Sequence, residues 1–213
     1  MSISETYRYQ GQVNVDTSNY RKHTSDNPLQ CKLIDRFHDK ITGIVTDLQP
    51  LTLLDAGCGE GFVADALLKA MPEAKITGFD VLEESVKLAQ LRNPRATFSL
   101  GDIYNIAHDD NSFDVVYCFE VLEHLQQPDR ALTEMARVAR RAVIMSVPHE
   151  PFFCLANAAR GKNLDMHPKG SDPEHVNFWS REAFGQFVDM ELDVELLTGS
   201  LPWTICVGRP RSW

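Results

Sequence analysis

The stretch Leu53-Leu54-Asp55-Ala56-Gly57-Cys58-Gly59-Glu60-Gly61 decides the fold of this chain. It closes a short apolar run and leads directly into a helical pattern, so its glycines fall on a strand-to-helix turn. Glycines there let the backbone pass close to a ligand, and the helix N-terminus that follows offers unpaired N–H groups. The spacing is G-x-G-x-G, whereas the nicotinamide fingerprint is G-x-G-x-x-G. Because Asp55 would repel a pyrophosphate and attract a cation, the stretch predicts a loop for a cationic ligand, with a plain tight turn as the alternative.

Short apolar runs alternate with helical patterns on the C-terminal side of this loop. The runs predict strands at 51–54, 75–79, 96–100, 113–118 and 142–147. The patterns between them predict helices at 62–71, 83–91 and 120–138, the last one broken or bent at Gln127-Pro128. Nearly continuous apolar strands separated by helices are typical of a parallel sheet that is covered on both faces. The chain is therefore predicted to fold as an open, doubly wound α/β sheet.

The two ends of the chain differ from this alternation. An apolar stripe at steps of three and four predicts a helix from Pro28 to about Gln49, after a polar, turn-rich start. Residues 148–178 are too long for an ordinary connection and predict an active-site lid. A helix from about Ser180 and an antiparallel hairpin of strands 192–198 and 203–207 close the chain. We predict an N-terminal segment and cap helix over 1–49 and one domain over 50–213 with the lid inserted.

Two further acids follow predicted strands. Asp80 ends the second strand, where a carboxylate can accept hydrogen bonds from both ribose hydroxyls, and Asp102 comes just after the third, where it could accept from an adenine amino group. Each residue alone is as well explained as a turn residue or a helix cap. Together with Asp55 they lie at the carboxyl ends of successive strands, the edge at which open α/β sheets bind ligands.

Composition excludes several classes of protein. The 213 residues carry a net charge of −9, which disfavours a nucleic-acid partner. The five cysteines are odd in number and form no C-x-x-C pair, so they predict neither a disulfide framework nor a zinc module. The N-terminus lacks a signal-peptide pattern and no apolar run is long enough for a membrane span. A cytoplasmic location is expected.

The motifs resemble those of the class I S-adenosylmethionine-dependent methyltransferases. LLDAGCGEGF, GFD, GDI and FDVVYCFEVLEHL look like the family's motifs from residue 50 to about 150. The resemblance implies a Rossmann-like, seven-stranded sheet, mostly parallel with a C-terminal antiparallel hairpin and helices on both faces. It also implies S-adenosyl-L-methionine as cofactor and a set of cofactor-binding residues: Asp55, Gly57, Gly59, Asp80, Val81, Asp102, Ile103 and Phe119.

The segment Glu120-Val121-Leu122-Glu123-His124 contains a second candidate site. On a helix that begins near Glu120, positions i, i+3 and i+4 share one face, so two carboxylates and an imidazole predict a site for a divalent cation such as Mg²⁺. The pattern resembles two metal-using branches, the ubiquinone-pathway O-methyltransferases and the small-RNA 2′-O-methyltransferases. In the second branch a downstream histidine completes the site, and the resemblance implies His175 for that role.

Metal-free alternatives stay open at this point. His124 and Glu120 are the candidate catalytic residues, and His124 can act as a base or only line the pocket. His149 and His167 lie in the predicted lid and could replace His175, although a solvated loop histidine explains each of them better. A general base is needed only where the acceptor is a weak nucleophile such as a hydroxyl.

The sequence thus predicts a transferase that moves a methyl group to a small or medium-sized molecule, at a hydroxyl oxygen. The alternatives are an S-adenosylmethionine-binding protein without turnover, a metal-dependent RNA 2′-O-methyltransferase and a nicotinamide oxidoreductase. The glycine spacing and Asp55 disfavour the last of these. A homodimer is a further expectation, and the identity of the acceptor does not follow from the sequence.

Overall fold

The computed structural model describes residues 17–150, 152–159, 161, 163–166 and 168–211. Contacts within the chain divide it into two compact units, one that ends at Asp102 and one that begins at Ile103. Among the described residues, no helix is both long enough and apolar enough to cross a membrane.

The first unit holds three strands and the helices that connect them. In chain order its elements are α1 (Ser18–His23), α2 (Pro28–Asp47), β1 (Thr52–Ala56), α3 (Phe62–Ala70), β2 (Lys75–Asp80), α4 (Glu83–Arg92) and β3 (Thr97–Leu100). The strands β1 and β2 pair in parallel, as do β2 and β3. Pro28 occupies the first turn of α2, where its missing N–H has no partner to lose, and Asn27 caps that helix.

The second unit holds four strands and the predicted lid. Its elements are β4 (Phe113–Phe119), a 3₁₀ turn (Leu122–His124), α5 (Pro128–Val138), β5 (Ala139–Pro148), α6 (Phe152–Ala159), α7 (Arg181–Val188), β6 (Leu192–Ser200) and β7 (Trp203–Pro210). The strands β4 and β5 pair in parallel, whereas β7 pairs antiparallel with both β5 and β6. The predicted C-terminal hairpin is therefore confirmed.

The seven strands follow the order β3-β2-β1-β4-β5-β7-β6 in one sheet. The central strands bury most of their residues, and residues 115–118 of β4 are fully buried. Such continuous burial is expected where helices cover a parallel sheet. The predicted Rossmann-like class, mostly parallel with a closing antiparallel hairpin, is confirmed. The predicted domain boundary at 49/50 stays a prediction.

The predicted lid begins and ends at neighbouring points. The Glu150 backbone N–H donates to the Trp179 carbonyl at 3.0 Å, and the His149 N–H donates to the Pro202 carbonyl at 2.7 Å. A short helix, α6, lies in this segment, and Gly161, with a positive φ of 71°, follows it. Ser180 caps α7 as predicted, because its hydroxyl accepts from the Ala183 N–H.

Two predictions about elements were wrong. The break predicted at Gln127-Pro128 is confirmed, because α5 begins at Pro128, but residues 120–127 contain the 3₁₀ turn and not the predicted helix. Glu120 belongs to neither and has a φ of 59°, in the left-handed region that helical residues do not adopt. The polar N-terminal stretch, expected to be irregular, contains α1, whose Thr17 cap accepts from the Tyr20 N–H.

Candidate functional site

The glycine loop after β1 is fastened to the end of β2. The backbone N–H groups of Gly57 and Cys58 both donate to the Phe79 carbonyl at 2.9 Å. Gly61 has a φ of 73°, and a Cβ atom at this position would lie 3.0 Å from the Cα of Ala89 in α4. Only glycine accommodates both the conformation and this close approach. The G-x-G-x-G spacing therefore sets a tight turn against α4.

Asp80 holds this loop through its carboxylate. One oxygen accepts from the Gly59 N–H at 2.9 Å and the other from the Leu82 N–H at 3.0 Å. Burial raises the pKa of Asp80, and the two backbone hydrogen bonds oppose that shift. Each carboxylate oxygen has a second lone pair, so Asp80 can also accept from a ligand hydroxyl.

The other predicted cofactor residues of the first unit lie where β1, β2 and β3 end. Asp55 is buried within the end of β1, whereas Asp102 lies exposed two residues beyond β3. Val81 leaves 72% of its surface exposed directly after β2. The structure thus gathers Asp55, Gly57, Gly59, Asp80, Val81 and Asp102 at the carboxyl ends of three parallel strands of this unit.

Two predicted cofactor residues belong to the second unit. Ile103 is its first residue and is buried, with 6% exposure. Phe119 ends β4 half-buried, and its ring stacks on that of Tyr117 with centroids 5.4 Å apart. Their predicted roles stay predictions.

Cys58 lies inside the glycine loop and offers no nucleophile. Burial is the main cause that raises the pKa of its thiol, and the nearby carboxylates Asp55 and Asp80 raise it further. The thiolate is the reactive form of cysteine, so this environment disfavours the reactive form of Cys58. Cys58 is therefore a small buried side chain of the loop, with 7% exposure.

The N-terminal segment contacts the glycine loop through residues that sequence reasoning did not single out. The Glu60 carboxylate, 1% exposed, accepts from the Thr17 hydroxyl and from the Asn19 amide at 2.6 Å. The Ser85 hydroxyl donates to the same carboxylate at 3.4 Å. The G-E-G context of Glu60 was the only local signal, since Thr17 and Asn19 are remote in sequence.

The second unit brings together Glu123, His124 and His175. Each offers one ligand atom, and these atoms lie within 4.8 Å of one another, close enough to share one metal ion. Glu123 is buried with 1% exposure, whereas both imidazoles are partly open. We call these three residues the EHH cluster.

The histidines of the EHH cluster are held in defined orientations. The Nδ1 of His124 lies 3.0 Å from the carbonyl oxygen of Glu174. A carbonyl can only accept, so Nδ1 carries the proton and Nε2 of the neutral ring presents its lone pair, the arrangement that metal-bound histidines adopt. The ring of His175 stacks on Phe153 with centroids 5.4 Å apart.

Glu120 lies outside the EHH cluster, which corrects the prediction that it shares a helical face with Glu123 and His124. Its carboxylate accepts hydrogen bonds from the Trp203 indole N–H and from the Ser146 hydroxyl at 3.2 Å. The left-handed backbone at Glu120 turns the chain, so the i, i+3, i+4 relation of a helix does not apply. The catalytic role predicted for Glu120 stays a prediction.

The alternative lid histidines do not join the cluster among the described residues. His149 lies 3.2 Å from the Thr204 hydroxyl and stacks on Phe152. His167 lies outside the described residues.

Residues 54–147 match the family model described as "Methyltransferase domain". The chain is also 35% identical over 170 residues to the ubiquinone biosynthesis O-methyltransferase of Chromobacterium violaceum, a match that covers 75% of this chain and 68% of that protein. It is 35% identical over 101 residues to an uncharacterized methyltransferase of Schizosaccharomyces pombe, over 41% of this chain. The chain spans only 36% of the length of this second relative.

Among solved structures, the magnesium protoporphyrin IX methyltransferase of Synechocystis PCC 6803, solved with bound SAH, has a TM-score of 0.67. The match covers 94% of this chain and 90% of that one at 18% identity, so it supports the fold. With the strand order, the glycine loop and its strand-end acids, these matches agree on one family. The chain belongs to the class I S-adenosylmethionine-dependent methyltransferases, transferases of the EC 2.1.1 type.

Proposed function

We propose that this chain methylates a hydroxyl oxygen of a small or medium-sized, partly apolar molecule, with a divalent cation held by the EHH cluster. The observation that carries this proposal is the convergence of Glu123, His124 and His175. It is supported by relatives named ubiquinone biosynthesis O-methyltransferase, from Chromobacterium violaceum and Paracidovorax citrulli, at 35% and 33% identity.

The first unit would hold the cofactor. S-adenosylmethionine supplies an electrophilic methyl group on a positively charged sulfur. Asp80 would bind the ribose hydroxyls while its hydrogen bond to the Gly59 N–H keeps the loop in place. Val81 and Asp102 would contact the adenine. Asp55, Gly57 and Gly59 would bind the methionine portion.

The second unit would prepare the acceptor. A divalent cation at the EHH cluster would act as a Lewis acid and lower the pKa of an acceptor hydroxyl. The donor set of two imidazole nitrogens and one carboxylate suits a first-row transition ion better than Mg²⁺, which prefers oxygen ligands. Without a cation, the Nε2 of His124 would serve as the general base for the same proton.

The surroundings of the cluster support an acceptor with an apolar part. Phe153 stacks on His175, and the ring of Phe178 lies 6.4 Å from it and is 37% exposed. Val176 is also exposed, at 45%. Aromatic and aliphatic surface next to a few converging polar groups is the usual composition of a small-molecule site.

Two matched variants test the metal proposal. We expect Glu123→Gln to abolish binding of Mn²⁺ or Co²⁺, measured by titration calorimetry, because it removes the buried carboxylate ligand. Glu120→Gln is the control: the same chemical change three residues away keeps an amide oxygen for the Trp203 N–H. Metal binding that survives Glu123→Gln, or turnover that resists both a chelator and this substitution, contradicts the metal and leaves His124 as the base.

The methyl-transfer proposal is tested by methylation of hydroxylated aromatic acceptors with labelled cofactor. Labelled ether product is expected. Slow hydrolysis of the cofactor without any methylated acceptor would instead favour the binding protein without turnover. Tight RNA binding that weakens steeply with salt would favour the RNA 2′-O-methyltransferase.

A further inference from the structure

We infer that Asn177 is the positioning residue that assembles the EHH cluster, an inference that rests on the proposed metal-dependent function. His175 follows Glu123 and His124 by about fifty positions and lies near the C-terminal end of the predicted lid, residues 148–178. Closing so long a loop costs conformational entropy, so a specific fastening is needed to keep the second imidazole within reach.

The side chain of Asn177 supplies this fastening from one side. Its amide donates two hydrogen bonds, to the Leu122 carbonyl at 3.0 Å and to the Leu125 carbonyl at 2.6 Å. These carbonyls flank Glu123 and His124 on the 3₁₀ turn. One side chain therefore holds both ends of the turn that carries two of the three ligands.

Backbone hydrogen bonds on either side of Asn177 also join this segment to the 3₁₀ turn. The N–H groups of Val176 and Asn177 both donate to the Glu123 carbonyl, at 2.9 and 3.1 Å, and His124 donates through Nδ1 to the Glu174 carbonyl at 3.0 Å. His175 therefore lies between residues that are each tied to the turn. The carbonyl of Asp172 accepts from the His175 N–H at 3.1 Å, so residues 172–175 form a turn that leads into the EHH cluster.

Asparagine is the side chain that fits this position. Two carbonyl acceptors require two donors on one short planar group, which the amide provides. Aspartate has the same shape but only acceptors when ionised, so it would repel both carbonyls. Serine has a single donor and can keep at most one of the two hydrogen bonds. Along the series Asn177, Asn177→Ser and Asn177→Asp, the number of hydrogen bonds that the side chain can donate to the two carbonyls falls from two to one to none. No ligand atom of the EHH cluster is changed.

The test measures Co²⁺ affinity of the full chain from the visible absorption of the bound ion. We expect Asn177→Asp to weaken Co²⁺ binding by roughly 10–100-fold, the usual effect of losing a group that orients metal ligands. Asn177→Ser should fall between wild type and Asn177→Asp, and it keeps the test usable if the aspartate variant does not fold.

Asn163→Asp is the matched control. Asn163 lies in the same lid and donates its amide to the Ser171 carbonyl at 2.9 Å, away from the EHH cluster. We expect it to leave Co²⁺ affinity unchanged. Equal weakening by Asn163→Asp would overturn the inference, because general loosening of the lid would then explain the effect, and wild-type affinity in Asn177→Asp would overturn it too.

A second readout separates this inference from the metal proposal. Amide hydrogen exchange at Val176 and Asn177 reports the fastening without any metal, and we expect faster exchange in Asn177→Asp. If the wild-type chain binds no Co²⁺, the metal proposal fails, and the exchange rates alone decide on Asn177. Unchanged exchange in Asn177→Asp would overturn the positioning role.

Discussion

Glu120 illustrates how one backbone angle redirects a motif. The spacing of Glu120, Glu123 and His124 fits a helical face, but the φ of 59° at Glu120 separates the first carboxylate from the other two ligands. Its partner Trp203 is 83 residues away in the chain. No local pattern indicates such a contact, so the sequence predicted the chemistry of this motif better than its geometry.

Asp80→Asn should weaken binding of S-adenosylhomocysteine by roughly 10–100-fold, since hydrogen bonds to a charged group contribute about 1.5–3 kcal/mol each. The amide keeps the shape but loses the charge and one acceptor, which leaves either Gly59 or Leu82 without its carboxylate oxygen. Titration calorimetry measures the dissociation constant. Asp129→Asn, on the exposed start of α5, is the control, and unchanged affinity in Asp80→Asn would contradict the predicted role.

At the scale of elements, contact between α1 and the glycine loop depends on Glu60. Glu60→Ala should lower the free energy of unfolding by about 1–3 kcal/mol, because it leaves the donors of Thr17, Asn19 and Ser85 without their buried acceptor. Urea titration measures this change. Trypsin should also cleave faster after Arg21 or Lys22 in α1.

Glu73→Ala removes an exposed carboxylate between α3 and β2 and should have little effect in either assay. If Glu60→Ala leaves both the unfolding free energy and the cleavage rate unchanged, α1 does not depend on this carboxylate.

The contact between α1 and α2 should weaken in acid. His23 and His38 face each other with Nε2 atoms 3.2 Å apart, and His23 stacks on Phe62. Burial is the main cause that lowers the pKa of both imidazoles. The charges of Lys22 and Arg92 lower the pKa of His23 further. The charge of Lys69 lowers the pKa of His38, whereas three nearby carboxylates raise it: Asp35, Asp39 and Asp65.

The folded state therefore favours the neutral rings, and its stability is complete above the ordinary histidine pKa of about 6.5. Stability should fall as the pH drops below this value toward the lowered pKa of the folded state. We expect Tm to decrease by a few degrees between pH 7.5 and 5.5, measured by circular dichroism. His38→Gln keeps a donor for His23 and should flatten this pH dependence, whereas an equally steep profile would contradict the assignment.

The strongly periodic elements were predictable because their patterns are local. The strands from β1 to β5 and the helix α2 were predicted within a few residues, since apolar runs and an apolar stripe mark them directly. The helix α1, with the sequence SNYRKH, was missed because it contains no aliphatic residue and so leaves no apolar period. The strand-end acids were predictable because each one lies at the end of a predicted strand. The roles of Asn177 and Glu60 were not predictable, because their hydrogen-bond partners are distant in sequence.

At the scale of the whole molecule, the candidate sites divide between the two units. Most predicted cofactor residues precede Ile103, and the EHH cluster follows it. We expect binding of each ligand alone to respond to its own unit: Asp80→Asn should spare Co²⁺ affinity, and Glu123→Gln should spare S-adenosylhomocysteine affinity. Calorimetry of both variants with both ligands checks this, and loss of both affinities in either variant would contradict it.

The hydrogen bond between Glu150 and Trp179 has a consequence for how such a chain can diversify. This hydrogen bond joins the two ends of the segment 151–178. We therefore expect that the sequence of the segment can be replaced without a shift of the strands on either side of it. A transplant of residues 151–178 from a relative, with Asn177 and His175 retained, would carry new acceptor preference onto an unchanged scaffold. Under the proposed function, acceptor preference can thus change through this one segment as long as His175 and Asn177 are kept.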